Sequence, residues 1–189
     1  MEFILDKLTK LAIVVRKARR RDAPQLLDLI RDLANYERLE PPSSQARRRL
    51  VHDIFDSRRL KAFVAYECEG KREGKALGYA LYFYTYSSFL ARPTLYLEDI
   101  FVKEGYRGKG VGKSLFIKCV KEALKNNCGR MEWAVLTWNK NAINFYEKKM
   151  KARRLDDWYY YRLERARLLE LDRESSKKKE KSSESIEFT

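Results

Sequence analysis

A short basic turn rich in glycine is the part of the sequence whose residue types point most directly to chemistry. The chain reads Arg-Gly-Lys-Gly-Val-Gly-Lys over residues 107–113. Three glycines at alternate positions remove three Cβ atoms, so backbone N–H groups can turn toward an anion. A helix is predicted to begin in this turn, and the positive end of its dipole would point to the same place. The turn therefore predicts a phosphate cradle.

Two common phosphate-binding motifs fit this turn poorly. A dinucleotide-binding fingerprint has the form G-x-G-x-x-G, whereas Gly112 arrives one residue early, and no acidic strand end follows at the distance that would hold a ribose. A P-loop has the form G-x-x-x-x-G-K-[ST]. The run Gly112, Lys113, Ser114 matches its end, but Gly108 is one residue too close. The next strand also brings no aspartate for magnesium, so both motifs are disfavoured.

The turn instead resembles the acyl-coenzyme A turn of the GNAT superfamily of N-acetyltransferases, which has the form [QR]-x-x-G-x-[GA]. The flanking residues resemble the same superfamily: Tyr-Leu-Glu-Asp-Ile-Phe-Val at 96–102 and Trp-Asn-x-x-Ala-Ile-Asn-Phe-Tyr at 138–146. Together with Leu-Ala-Asn-Tyr-Glu at 33–37, they are similar to one branch, the diamine N-acetyltransferases. That branch comprises the spermidine/spermine enzymes and relatives that act on thialysine. The resemblance covers about residues 13–163.

The resemblance implies a fold and a co-substrate. The fold would be the GNAT fold, an α+β (mixed α/β) domain with a twisted mixed sheet of about six to seven strands and about four helices. The co-substrate would be acetyl-CoA, and no metal is implied. The residues implied to hold the coenzyme are Ile100, Phe101, Val102, Arg107, Gly108, Lys109, Gly110, Val111, Gly112, Lys113, Asn139 and Tyr146. Backbone groups near Ile100 would also polarise the thioester oxygen.

Two residues are implied to carry out proton transfer. Tyr146 matches the catalytic tyrosine of the family, and a phenol with a pKa near 10 can protonate a departing thiolate without being charged at neutral pH. From its pattern alone, Tyr146 could equally be a core residue of an amphipathic helix. Glu98 matches the substrate-side carboxylate and would take the amine proton through a water. Strand alternation predicts Glu98 and Asp99 on opposite faces, which leaves Asp99 open as a buried partner of an arginine.

The substrate-binding residues implied by the resemblance are Tyr36, Glu37 and Glu98. One departure bears on the amine: the spermidine/spermine enzymes carry an aspartate and a tryptophan where this chain has Ser87 and Phe89. Losing a carboxylate weakens a partly desolvated cation site by about 1 kcal/mol or more. The activity implied by the resemblance is acetyl transfer to a primary amine of a diamine, a polyamine or a thialysine- or lysine-like amino acid. Within this set, the sequence favours a small amine over spermine.

The hydrophobic pattern predicts the elements that must position these residues. Strands are predicted over residues 12–18, 61–68, 76–86, 94–102, 130–138 and 158–163, and helices over 23–36, 44–55, 110–126 and 139–149. Asp22 is predicted to cap the first helix. The first half of the sheet should be antiparallel, with a parallel crossover around the glycine turn. Relatives usually have glycine where this chain has Met150, so the last predicted helix should end differently or cost about 1 kcal/mol.

Length and composition bound the remaining possibilities. The 189 residues are predicted to form one domain over residues 12–172, with an N-terminal extension, 1–11, and a disordered charged tail, 173–189. No apolar run is long enough for a membrane span, and the start lacks the features of a signal peptide. Three unpaired cysteines indicate a reducing compartment, and we expect a cytoplasmic protein. His52 is the single histidine, which leaves little material for a His-based metal site or a Ser-His-Asp triad.

The positive charge is concentrated around the glycine turn. The net charge is +14, and residues 103–154 alone carry 14 basic and 4 acidic side chains, which suits a polyanionic ligand there. Two alternatives stay open: a protein-lysine acetyltransferase, and a basic binding protein on an acetyltransferase-like scaffold. The second would use aromatic residues at 158–161 beside Arg153 and Arg154, although nucleic acid is not the expected partner. The resemblance also implies a homodimer.

Overall fold

A computed structural model describes residues 12–69 and 72–184 of the chain. The chain consists of two compact units, Met1–Val135 and Leu136–Thr189. The mixed α/β class predicted from the sequence is confirmed, because the first unit is built on one mixed sheet with helices packed against it. The predicted extension, residues 1–11, lies outside the described residues.

Within the described part of the first unit, the sheet contains five strands. They are β1 (Ile13–Lys17), β2 (Lys61–Glu69), β3 (Arg72–Ser87), β4 (Arg92–Val102) and β5 (Arg130–Glu132), and they lie side by side in that order. The first four pair antiparallel, and β5 pairs parallel to β4, as predicted for the crossover around the glycine turn. Neighbouring residues of β2 such as Val64 and Ala65 are both fully buried, so both faces of the sheet centre are covered.

Helices from the N-terminal half of the chain cover one face of the sheet. They are α1 (Ala23–Glu37) and α2 (Ser44–Phe55), whose boundaries match the prediction closely. Leu26 and Leu29 of α1 and Ile54 of α2 are buried against strand residues that include Tyr79 and Phe101. The start of α2 is fixed by Ser43, whose Oγ accepts a hydrogen bond from the Ala46 amide at 3.3 Å. This face of the sheet therefore holds one hydrophobic core cluster.

The opposite face receives α3 (Val111–Lys125), the helix that follows the glycine turn. Leu115 and Cys119 are fully buried there. Glu122 is also buried, and its carboxylate accepts hydrogen bonds from Lys17 at 2.9 Å and from the Tyr84 hydroxyl at 3.4 Å. Because strand residues alternate between faces, Tyr84 and Tyr79 point to opposite sides of β3. The crossover through α3 thus completes a three-layer unit.

Two predicted strands differ from the structure. The strand predicted over 130–138 is limited to Arg130–Glu132, and residues 158–163 form no strand, so the sheet has five strands and not six or seven. In that second segment Trp158 is 77% exposed and Tyr161 is 87% exposed. Aromatic residues favour an extended backbone, but a strand forms only when a neighbour supplies the hydrogen-bonded ladder. A sequence pattern shows that a segment favours an extended backbone, but it does not show whether a neighbouring strand is present to pair with it.

The second unit contains mostly helix. It holds α4 (Lys140–Asn144), a π-helical turn (Phe145–Lys149) and α5 (Arg165–Glu184). Helix α5 includes residues 173–184 of the segment predicted to be disordered, 173–189, and residues 185–189 lie outside the described residues. The Arg167 side chain lies 3.2 Å from a Glu170 oxygen, an i,i+3 pair of the kind that stabilises a polar helix, and 3.0 Å from a Glu174 oxygen.

None of the helices in the described residues is long and apolar enough to cross a membrane. Cys68, Cys119 and Cys128 are free thiols, as predicted. Over the same described ranges, no cluster of three potential metal ligands occurs.

A partly buried ion-pair group fixes the start of α1 to the sheet. The Arg16 guanidinium lies 2.7 Å from an Asp22 oxygen and 2.6 Å from a Glu73 oxygen. Asp22 stands at the cap position of α1 as predicted, but its carboxylate makes no capping bond to that helix. It accepts instead from Arg16 and, at 2.6 Å, from the Arg19 amide. Burial alone would raise the pKa of Asp22, but these bonds outweigh burial and lower it to about 2.

We expect Asp22→Asn to reduce the free energy of unfolding by about 2 kcal/mol at pH 7, because the variant loses the charge that Arg16 stabilises. The folded-state pKa of about 2 lies below the ordinary 3.8, so the carboxylate stabilises the fold above about pH 4. That contribution is lost as the pH falls through 2. Urea unfolding between pH 7 and pH 2 measures the difference, with Asp28→Asn, an exposed aspartate of α1, as the control. A gap between wild type and variant that is unchanged down to pH 2 would contradict the assignment.

Candidate active site

The glycine turn has the backbone conformation that an anion cradle needs. It follows β4 and one 3-10 turn (Glu104–Tyr106) and leads directly into α3. Gly108 has φ of 75° and Gly110 has φ of 88°, a left-handed conformation that residues with a Cβ rarely adopt. A Cβ placed on either glycine would meet no atom within 4 Å. The glycines are therefore required by the backbone conformation and not by close packing, and the space beside the turn is open.

The N-terminus of α3 faces this turn without a side-chain cap. Gly110 occupies the cap position, and the first amide to bond back within the helix is that of Ser114, to the Gly110 carbonyl at 3.0 Å. The amides of Val111, Gly112 and Lys113 precede it and have no carbonyl one turn earlier in the helix to receive them. With the positive end of the helix dipole, these amides can bind a phosphate group.

Among the described residues, no strand pairs with one edge of β4 beyond its first half. β5 pairs with it only at Thr94, Leu95 and Tyr96. Leu97 and residues 99–102 pair with β3 on the other side, and β5 does not extend alongside them. A free strand edge offers backbone groups to an extended ligand, which can add like a further strand. The residues predicted to hold the pantetheine arm lie in this segment, at 100–102.

The Arg107 side chain is engaged within the protein. Its Nε donates a hydrogen bond to the Val102 carbonyl at 3.0 Å. Its guanidinium lies 4.5 Å from the ring centroid of Tyr36 and 5.7 Å from that of Phe101. Tyr36 and Phe101 are themselves neighbours, with ring centroids 6.5 Å apart. Arg107 therefore connects the glycine turn to the C-terminal end of α1. The sequence had led us to expect that its charge would contact a phosphate group.

A β-bulge in β4 sets the direction of its acidic residues. Leu97 pairs with Tyr82 of β3, and Asp99 pairs with Leu81, so Glu98 is an extra residue with no partner across the ladder. The Glu98 side chain is exposed. Asp99 falls on the same face as Tyr79, whose hydroxyl donates a hydrogen bond to it at 2.9 Å. Simple alternation, on which the prediction for these two acids relied, does not apply across a bulge, and the partner of Asp99 is a tyrosine and not an arginine.

Two neighbouring carboxylates, Glu98 and Glu37, act on Asp99. Burial raises the pKa of Asp99 to about 6; the Tyr79 hydrogen bond opposes this rise, while the negative charges of Glu98 and Glu37 add to it. Burial also raises the pKa of Glu37, the last residue of α1. The negative group and the basic glycine turn are joined by the last residues of β4. This arrangement suits a cation on one side and a phosphorylated molecule on the other.

The hairpin between β3 and β4 carries the two departures noted in the sequence. Ser87 is buried, and its Oγ accepts a hydrogen bond from the Leu90 amide at 3.3 Å. Phe89 is fully exposed at the tip of the turn. Ser87 therefore stabilises the turn, and it contributes no charge for a cation.

Asn139 and Tyr146 belong to the second unit. Asn139 caps α4, with Oδ1 accepting from the Ala142 amide at 3.2 Å. Tyr146 lies in the π-helical turn, is 8% exposed and packs edge-on against Phe145 with ring centroids 5.4 Å apart. Both residues are thus held in defined positions within their own unit.

The helix predicted over 139–149 ends without a left-handed residue at Met150. Met150 keeps an ordinary right-handed backbone, and the left-handed conformation falls one residue later, on Lys151. The Met150 amide donates a hydrogen bond to the Phe145 carbonyl at 3.0 Å. The chain therefore accommodates methionine without placing it in the strained conformation.

The family model described as Acetyltransferase (GNAT) family matches residues 25–151. The chain belongs to the GNAT acetyltransferase family. It is similar to thialysine N-epsilon-acetyltransferase of Sus scrofa, with 34% identity over 167 residues that cover 85% of this chain and 97% of the relative. It is also similar to an L-ornithine N5-acetyltransferase of Arabidopsis thaliana, with 50% identity over 86 residues, 46% of this chain and 37% of the relative.

A solved structure supports the same fold. An integron cassette protein from the mobile metagenome of V. cholerae superposes with a TM-score of 0.70, covering 86% of this chain and 98% of that protein at 24% identity. The fold and the resemblance to the thialysine branch, both predicted from the sequence, are therefore confirmed, and this GNAT protein is an N-acetyltransferase.

Sequence reasoning missed two features of this GNAT site. The bulge at Glu98 was not predicted, and the adjacent acids Glu98 and Asp99 in an apolar strand were its only signal. The role of Tyr79 as the partner of Asp99 was missed as well, because a tyrosine within an apolar strand does not indicate which residue of the next strand it meets.

We expect Gly110→Ala to lower the free energy of unfolding by about 1 kcal/mol, because alanine is strained at φ of 88°. Gly105→Ala is a matched control in the preceding 3-10 turn: that glycine has no positive φ, and a Cβ placed on it would meet no atom within 4 Å. Urea unfolding of the two variants measures the difference. Equal stabilities would show that the conformation of the turn is not what requires glycine at 110.

The contact between Arg107 and Tyr36 should appear as a coupling energy of about 0.5–1 kcal/mol in a double-mutant cycle of urea unfolding with Arg107→Ala and Tyr36→Leu. A second cycle with Arg107→Ala and Tyr86→Leu serves as the control, since Tyr86 lies at the opposite end of the β3–β4 pair from Val102. The control effects should add within about 0.5 kcal/mol. Additive effects in the first cycle would mean that Arg107 does not stabilise the end of α1.

Proposed function

We propose that this enzyme transfers the acetyl group of acetyl-CoA to a primary amine of a small cationic molecule, by direct attack in a ternary complex. The observation that carries the proposal is the order of features along one strand. The bulge of β4 presents Glu98 and Asp99, with Glu37 of α1 acting on the same place, and the strand then runs directly into the basic glycine turn. A cation site and a phosphate site therefore lie at two ends of one short segment.

The coenzyme fits the features of the turn. The amides at the start of α3, those of residues 111–113, would hold phosphate oxygens, supported by the charge of Lys109. The open edge of β4 at residues 100–102 would hold the pantetheine arm, and a backbone amide in this segment would polarise the thioester carbonyl. Asn139 is proposed to contact the coenzyme as well, on the family resemblance. When bound, acetyl-CoA supplies the thioester whose acetyl group is transferred.

Glu98 is proposed to prepare the amine for attack. An alkylammonium has a pKa near 10 and cannot attack a carbonyl until it loses a proton. Glu98 is exposed on the bulge of β4, where its carboxylate can take this proton through a water. The amine nitrogen then forms a bond to the carbonyl carbon of the thioester, and the second proton on that nitrogen leaves as the amide forms. Tyr36 and Glu37, at the end of α1, are proposed to orient the amine.

Tyr146 is proposed to complete the transfer. As the carbon–sulfur bond breaks, the sulfur leaves with the electron pair of that bond, and the Tyr146 hydroxyl donates a proton to it. One of the two protons lost by the ammonium group restores the Tyr146 hydroxyl, and the other passes from Glu98 to solvent. The overall change is one amide, one thiol and one released proton formed from one ammonium group and one thioester.

The amine is proposed to be the terminal amine of a lysine-like amino acid or a diamine. Ser87 and Phe89 stand where the spermidine/spermine enzymes carry an acid and a tryptophan, and the buried Ser87 hydroxyl is bonded within its turn. This loss of charge should weaken the binding of a polyamine with several positive charges more than the binding of a molecule with one or two. The similarity to a thialysine acetyltransferase along 85% of the chain supports the same choice. A homodimer is proposed on the family resemblance.

The proposal is tested by thiol release from acetyl-CoA with thialysine, ornithine, lysine, putrescine, spermidine, spermine and a lysine-rich peptide. We expect turnover on a small amine, with a higher kcat/KM for thialysine or a diamine than for spermine. Tyr146→Phe should lower kcat by about 10²-fold or more with little change in KM, because it removes only the proton donor. Tyr159→Phe is the matched control, since this residue of the same unit is 86% exposed.

Each outcome of that panel distinguishes between functions. Turnover of the peptide alone would replace the small amine with a protein lysine. No turnover on any amine, together with no acetyl-CoA binding by calorimetry, would overturn the enzyme assignment for this chain and favour the basic binding protein. An unchanged kcat in Tyr146→Phe would show that Tyr146 is not the proton donor. The assignment of the substrate would still stand.

A further inference from the structure

The pair formed by Tyr79 and Asp99 has no role in the chemistry derived above. Tyr79 is fully buried, and its hydroxyl donates to Asp99 Oδ2 at 2.9 Å. A buried hydroxyl needs an acceptor, and a carboxylate with little access to water needs a donor, so each residue fixes the position of the other. The pair sits on the face of the sheet that α1 covers, beside Phe101. Asp99 is thus a partly buried acid with a fixed orientation, one residue from the proposed base.

The charges that act on Asp99 come from other carboxylates. Glu98 precedes it on β4, and Glu37 lies at the end of α1, which packs on the same face. From β3 it meets the Tyr79 hydroxyl. The nearby cation of the glycine turn, Arg107, is directed over the ring of Tyr36 and donates to a backbone carbonyl of β4. A positive charge brought in from outside would therefore complete this group.

The protonation state of Asp99 changes near neutral pH. Burial raises its pKa to about 6, with Glu98 and Glu37 adding to the rise and the Tyr79 hydrogen bond opposing it. Glu98 and Glu37 favour the protonated form of Asp99 unless a cation compensates for their charge. A bound ammonium group would supply that compensation.

We propose that Asp99, held by the Tyr79 hydroxyl, is a specificity-determining residue that receives the cationic amine only as a carboxylate, so that the amine and a proton compete for it. The inference rests on the proposed function, since the amine is its substrate. Tyr79 is then a positioning residue, which acts on the amine through Asp99. A neutral or anionic molecule cannot displace the proton, and selection for a cation follows from the same competition.

The competition has a direction that three variants test separately. Tyr79→Phe removes a hydrogen bond that favours the carboxylate, so the midpoint of amine binding should move to higher pH. Glu98→Gln removes a neighbouring negative charge, so the midpoint should move to lower pH. Asp99→Asn has the same shape without the titrating group and should give weak binding that does not change with pH in this range. The first two shifts are opposite in sign, which a loss of packing cannot produce.

The experiment is calorimetric binding of thialysine to the full chain between pH 5 and pH 7.5, in two buffers of different ionisation enthalpy. Both amines of the ligand stay largely protonated up to neutral pH, so the ligand contributes little to the pH dependence there. For the wild type we expect the apparent Kd to rise about tenfold from pH 7 to pH 5, and the buffer dependence of the heat to report proton release on binding near pH 6. Thermal unfolding of each variant checks that it folds.

The outcomes separate this inference from the proposed function. A Kd that does not change with pH, with no proton released, overturns the role of Asp99 alone if the panel shows amine acetylation. Shifts of the same sign in Tyr79→Phe and Glu98→Gln also overturn it, because they would reflect a structural effect. Failure of thialysine and every other amine of the panel to bind overturns it together with the proposed function. A wild-type pH dependence that is lost in Asp99→Asn and shifted oppositely by the other two variants establishes it.

Discussion

One extra residue in β4 is the constraint on which the arrangement of the site depends. Antiparallel pairing with β3 runs unbroken from Arg92 to Leu97 and again from Asp99 to Val102, and the bulge at Glu98 changes which face each half presents. Without it, the residue at 99 would lie on the face of Leu97, toward α3, and away from α1. The bulge therefore brings an acid under the end of α1 and leaves a second acid exposed beside it.

The same strand also determines where a ligand can approach. β5 is only three residues long and pairs with β4 at its beginning, so the second half of β4 keeps one edge open just before the glycine turn. A longer β5, as the sequence pattern predicted, would have covered the backbone groups on that edge. The edge of β4 is thus open because β5 is short. The glycine turn follows this edge and leads to the start of α3, which has no side-chain cap.

Local signals in the sequence determined most elements and the candidate coenzyme site. The glycine spacing, the Ser43 and Asn139 caps, the apolar stripe of α1 and the alternation of the central strands are properties of neighbouring residues, and the structure follows them. The family and the fold could also be recognised from short motifs. These features need no knowledge of distant contacts, because backbone conformation and amphipathic periodicity are local.

Only the tertiary structure decided the features that depend on which segments meet. The length of β5, the lack of a strand at 158–163, the bulge at Glu98, the use of Asp22 by Arg16 and the pairing of Tyr79 with Asp99 all depend on partners from other segments. An extended segment becomes a strand only beside a hydrogen-bonding neighbour, and the pKa of an acid is set by the burial and charges around it. Strand pairing and the pKa of an acid are both properties of the assembled fold, so neither can be predicted from a short segment of the sequence by itself.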